Sequence, residues 1–177
     1  MKMLSQTAGL QKLRQLKDEF RSTVASEYEQ KAKPCSACST PGACCLDAHF
    51  VNVRISKLEA AAITKALASL SAQQRSKVSR RVDDVIRRFG LDDNSDAPAK
   101  TYACPLFEVG VGCLVHDTAK PLPCIHHACY ENKADLPPDD LLESAELAVN
   151  RLNKKVYGRP LTLLPLPIAV REAESLS

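Results

Sequence analysis

Eight cysteines fall in two blocks: Cys35-x2-Cys38-x5-Cys44-Cys45, then Cys104-x8-Cys113-x10-Cys124-x4-Cys129. A thiolate is a soft anionic ligand, and two residues between cysteines let one turn deliver both sulfurs to a single ion, the usual unit of zinc and iron–sulfur sites. An isolated pair of this kind is common by chance. A pair joined to Cys44-Cys45 and followed by four further cysteines is far more specific, and all eight are read as metal ligands. Pro34, Pro105 and Pro123 flank Cys35, Cys104 and Cys124, so these loops are stiff before any metal binds. Gly42, Gly110 and Gly112 stand just before Cys44 and Cys113, where the backbone must come close to a sulfur. Adjacent side chains diverge in an extended segment. Cys44 and Cys45 are therefore expected to face different sites, or to divide into one ligand and one packed thiol. Eight thiolates suffice for two four-sulfur centres, or for one centre and a set of buried or redox-active thiols.

All four histidines, His49, His116, His126 and His127, are close in sequence to cysteines. Cys113-x2-His116 and His126-x2-Cys129 have ligand spacing, so the four are read as reserve ligands or as neighbours of a bound centre. Met1-Lys2-Met3-Leu4-Ser5-Gln6 lacks the continuous apolar core of an export signal, and no stretch approaches 18 apolar residues. These features lead to the expectation of a cytoplasmic chain with no membrane partner, in which thiols stay reduced. A disulfide framework in a secreted protein is the alternative that an even cysteine count allows.

The elements that must hold these loops are mostly helical. Leu10, Leu13, Leu16, Phe20, Val24 and Tyr28 form one helical stripe, predicting an amphipathic helix over residues 6–31, with Lys17 among the charges off the stripe. It packs on the cysteine region or associates with a second copy. His49 to Ile55 alternates at Val51, Val53 and Ile55 as a short half-buried strand. Ser56 with Glu59 and Ser71 with Gln74 are capping boxes, predicting helices over 57–70 and 72–89, the second closed by Gly90. Lys77, Arg80, Arg81, Arg87 and Arg88 give that second helix a basic side. Asp83 and Asp84 interrupt it and no aromatic residues interleave, so a solvated face is preferred to a nucleic-acid surface. After an acidic loop at 91–101, the second cysteine block leaves room for a strand at Leu114-Val115. A last helix runs from Asp139 to Gly158 with Leu141, Leu142, Ala145, Leu147, Ala148, Leu152 and Val156 apolar. The tail from Pro160 to Pro167 is expected to lie extended.

The fold class expected is mainly α with a short β element, its irregular cysteine-rich metal-binding loops packed against helices. The organisation is an N-terminal helix (1–33), a cysteine-cluster core (34–132), and a C-terminal helix with a proline-rich tail (133–177), within one domain. A net charge of +3 does not call for a polyanion. There is no Gly-x-Gly-x-x-Gly, phosphate loop or Gly-x-Ser-x-Gly elbow. A Cys45–His49 nucleophile can be drawn, but a metal would occupy the same sulfur, and no catalytic residue is assigned.

The pattern resembles the YkgJ-type cysteine-cluster proteins, described as a zinc- or iron-chelating domain, with the flagellin lysine N-methylases as relatives. The resemblance is carried by Cys35, Cys38, Cys44, Cys45, Cys104-Pro105, Cys113-Leu114-Val115, Lys120-Pro121 and Cys124, and covers roughly residues 35–130. The gap between Cys38 and Cys44 is longer than usual. His116 stands where the family pattern has Tyr, Lys120 where it has Arg, and Ile125 where Arg follows the cysteine. The resemblance implies an iron–sulfur cluster, of the four-iron four-sulfur kind. It also implies a role in electron transfer, or as an accessory to a methyl-transfer or maturation reaction with a protein partner. A structural zinc module acting as a binding adaptor is the alternative.

Overall fold

A computed structural model describes residues 3–33, 40, 42–46, 52–92, 100–159 and 162–175. Among them the chain is mainly helical, with short two-stranded antiparallel pairings, as the sequence led us to expect. No described helix is long and apolar enough to cross a membrane. The chain divides into two compact units, one built from Met1–Pro41 and Lys120–Leu161 and the other from Gly42–Ala119 and Thr162–Ser177.

In the first unit, α1 (Gln6–Glu27) opens on Ser5, whose hydroxyl accepts from the Ala8 N–H. Its buried face is Gly9, Leu13, Lys17, Phe20 and Val24. The helix ends at Tyr28 rather than continuing to residue 31. No apolar side chain among Glu29, Gln30 and Lys31 extends the stripe, and these residues form a 3-10 turn. That turn leads into β1 (Ala32–Lys33), which pairs with β5 (Cys129–Tyr130) in the register Ala32↔Tyr130 and Lys33↔Cys129. Lys17, assigned to the solvated side, is instead 5% exposed, and its ammonium donates to the Lys120 carbonyl at 3.0 Å.

That carbonyl lies just before α4 (Leu122–His126), a short helix that the sequence reading did not anticipate. α5 (Asp139–Tyr157) carries Asp139 and Asp140 in its first turn and Lys154 and Lys155 in its last, matching the helix dipole at both ends. Its core face is Val149, Leu152, Asn153 and Val156, whereas Leu147 is exposed. α1 packs against both α4 and α5.

The second unit is built on α2 (Lys57–Ala68), α3 (Ala72–Phe89) and α6 (Leu166–Glu174), with α6 packed on the other two. Both capping boxes form as expected, and Gly90 closes α3 in the left-handed conformation (φ 56°). β2 (Arg54–Ile55) is shorter than the strand expected from residue 49. Before it, the Val53 carbonyl still accepts the Leu166 N–H at 2.9 Å, and residues 47–51 lie outside the described residues. β2 pairs with β6 (Leu164–Pro165), in the register Arg54↔Pro165 and Ile55↔Leu164.

The proline-rich tail is therefore extended only as far as β6. Pro165 caps α6 and Pro167 sits in its first turn, where the N–H that proline lacks would have had no helical partner. The prolines start this helix instead of forbidding it, and Leu166, Ile168, Ala169 and Val170 enter the core. β3 (Phe107–Glu108) and β4 (Gly112–Cys113) form a hairpin. The strand expected at Leu114-Val115 thus lies two residues earlier, and Val115 is a core residue at a turn.

Candidate functional site

The second unit draws four of the cysteines into one neighbourhood through a series of local contacts. Gly42 has φ 82°, and an added Cβ would lie 2.0 Å from Phe107 Cζ, so only glycine lets the β3 side chain lie against this turn. A 3-10 turn, Ala43–Cys45, follows, closed by the Cys45 N–H on the Gly42 carbonyl at 2.8 Å. The segment carrying Cys44 and Cys45 is therefore helical, and the divergence expected of an extended segment does not apply. Their sulfurs are 4.0 Å apart. The Cys104 N–H donates to the Cys45 carbonyl at 2.8 Å, tying the two cysteine blocks together through the backbone. Cys104 then accepts the Phe107 N–H at 3.0 Å in the turn that starts the hairpin. In the hairpin Phe107 is directly opposite Cys113. Gly112, with φ 103°, supplies the left-handed residue before Cys113.

These thiols oppose one another's ionisation. The Cys45 thiol is pushed up by its contact with Cys44, by burial, and by the charges that Cys44, Cys104 and Cys113 would carry. Cys104 is pushed from 9.0 up to about 12, first by burial and then by Cys113. The Leu106 and Phe107 N–H groups and the Arg81 guanidinium act in the other direction. Next to Cys104, burial and then Cys104 itself raise Tyr102, whose hydroxyl donates to Asn52 Oδ1 at 2.8 Å. Several thiols that cannot all ionise in their own company form a donor set suited to a cation, which replaces their protons. The chemistry of the donor set therefore fits a thiophilic metal. Its geometry, as it stands, does not amount to a metal cage. Among the described residues no three His, Cys, Asp or Glu side chains are positioned to hold one ion.

The remaining predicted site residues are spread more widely. Cys35, Cys38 and His49 lie outside the described residues. Cys124 is in α4 and Cys129 in β5, both in the first unit, and the Cys129 side chain is outside the described set. His126 stacks on Phe20 with ring centroids 6.4 Å apart, and its Nε2 is 3.4 Å from the Pro138 carbonyl, a packing role within that unit. His127 follows α4, and burial, Lys120 and His126 together favour its neutral form. His116 belongs to the second unit but is exposed, with Nδ1 2.8 Å from Asp117 Oδ1. The residues missed by sequence reasoning are Arg81, whose charge acts on Cys104, Tyr102 beside Cys104, Arg54, which acts on Tyr102, and Glu108, which pairs with Arg81 and faces Gly112 in the hairpin. The only signal for Arg81 was its place between Val78 and Val82 on α3, a boundary position that a simple apolar stripe leaves to solvent.

No family model, curated protein or solved structure matches this chain in comparisons of its sequence and fold.

Proposed function

We propose that this chain is a cytoplasmic metal-binding protein that carries an iron–sulfur cluster on clustered cysteines. It acts in electron transfer, or as an accessory to a methyl-transfer or maturation reaction, alongside a protein partner. The observation that carries the reading is the meeting of Cys44, Cys45, Cys104 and Cys113 around one turn and one hairpin of the second unit. A sulfur-only donor set favours soft metals over hard cations. Among the described residues no three of these side chains enclose an ion, so the reading rests on the chemistry of the donor set. Cys35, Cys38, Cys124 and Cys129 complete the proposed ligand inventory. The resemblance to the YkgJ-type cysteine-cluster proteins, carried by the cysteine spacing, points the same way. When bound, the cluster would supply one-electron chemistry. The protein's own residues hold its sulfur ligands, set their electrostatic surroundings and limit the access of water.

Protein purified without oxygen from iron-replete cells is expected to be brown, with iron and acid-labile sulfide in comparable amounts. Colourless protein with stoichiometric zinc would transfer the proposal to the structural zinc adaptor. The histidines near the cysteines and the scarcity of aromatic core residues favour that second reading.

A further inference from the structure

We infer that Arg81 is the counter-cation of the thiol site, its guanidinium N–H groups turned toward the sulfur ligands of the bound centre. The inference rests on the metal-binding reading above and names the residue that stabilises that centre. It begins with the register of α3. Val78 and Val82 are each 1% exposed within the second unit's core, and Cys104 and Cys113 pack against that same cluster. Arg81 lies between these two valines in sequence, so its stem leaves the helix at the edge of the core. Its Nε and Nη2 are buried, and among the described residues neither has a hydrogen-bond partner.

The simplest alternative is an ion pair with Glu108 alone. Glu108 Oε2 lies 3.9 Å from Arg81 Nη2, too far for a hydrogen bond, and that oxygen is likewise buried without a hydrogen-bond partner. Lys77 approaches the other oxygen of the same carboxylate at 3.5 Å. Two cations thus share one carboxylate and a positive charge is left over. Glu108 sits on β3 opposite Gly112, the residue before Cys113, so the excess charge lies beside the hairpin that carries a thiol. Burying guanidinium N–H groups without acceptors is costly unless an acceptor arrives. A divalent ion on four thiolates carries net negative charge and sulfur lone pairs, and a four-thiolate cluster does as well.

The test uses the full chain loaded with cobalt(II), zinc or iron, and measures affinity by competition with a chelator. The variants are Arg81→Gln and Arg81→Met, the second keeping an apolar stem that packs against the core if the first fails to fold. Arg80→Gln, on the exposed side of α3, serves as control. Partners that orient or polarise metal ligands typically change affinity by about 10–100-fold. A loss of that size in either Arg81 variant, with metal-free thermal unfolding and the Arg80→Gln affinity unchanged, is the expected result. Wild-type affinity in a folded Arg81 variant overturns the inference and leaves the metal reading standing. A wild-type chain that takes up none of the three metals overturns both.

Discussion

At the scale of single residues, the turn that carries Cys44 and Cys45 depends on Gly42. At Gly42 a side chain must accept a left-handed φ, which costs about 1–2 kcal/mol for an L-residue, and must also displace the Phe107 ring. Gly42→Ala is expected to lower the urea midpoint by more than the backbone penalty alone. Phe107→Leu in the same background should recover part of the loss, a coupling that a double-mutant cycle reads directly. An additive cycle would show that Phe107 does not fill this space. The sulfurs of Cys44 and Cys45, 4.0 Å apart on a 3-10 turn, give a second expectation. Cys44→Ser and Cys45→Ser should each remove the same metal to a similar extent. Loss from only one of them would restore the division into one ligand and one packed thiol. The cysteine pattern was legible because ligand chemistry depends on residue type and short spacing. The roles of Lys17 and Arg81 were not. Hydropathy assigns a charge to solvent, whereas the backbone can supply a buried ammonium with a carbonyl, as Lys120 does for Lys17.

At the scale of elements, the helix starts were the best-read features, because a capping box is encoded in four consecutive residues. The two boxes differ in one respect that sets up a comparison. Ser56 is fully buried and Glu59 4% exposed, while Ser71 and its partner Gln74 lie nearer solvent. Removing the Ser71 hydroxyl leaves N–H groups that water can reach, so Ser71→Ala should cost about 0.5–1 kcal/mol. Ser56→Ala leaves the Glu59 N–H and the Glu59 carboxylate short of a partner inside the protein, and should cost about 2 kcal/mol or more. Equal losses in chemical denaturation would mean that burial does not amplify the cap. The elements that were misread have a common cause. α6 was taken as extended because prolines were counted as breakers, yet at a helix start they are compatible with the geometry and leave the apolar run after them free to fold onto α2 and α3. α4 and the β3–β4 hairpin are too short to carry a period, and their positions are fixed by partners distant in the sequence, which no local pattern records.

At the scale of the whole chain, the helical class was legible from apolar periodicity, which is a local property. The gathering of Cys44, Cys45, Cys104 and Cys113 was not, since it depends on a backbone hydrogen bond from Cys104 to Cys45 and on a hairpin whose strands are two residues long. Tyr102, Leu106 and Val115 anchor the second block in the core, so a bound metal would add order chiefly at the turn and hairpin that carry the cysteines. A ligand that binds the folded form and not the unfolded one stabilises it by an amount that grows with the logarithm of its concentration over Kd, about 2.7 kcal/mol at a hundredfold excess over Kd. The stabilisation should be concentrated where the ligands are. Hydrogen exchange on metal-loaded and chelator-treated protein is therefore expected to differ most at residues 42–46 and 102–116. The amides of α1 and α5, secured by their own helical hydrogen bonds and by apolar faces that include Leu13, Phe20, Leu152 and Val156, should change little. Equal protection of the cysteine turn and hairpin with and without metal would mean that packing alone orders them. In that case Cys45 and Cys104 would be packed thiols whose neutral form is favoured by burial and by the neighbouring thiols.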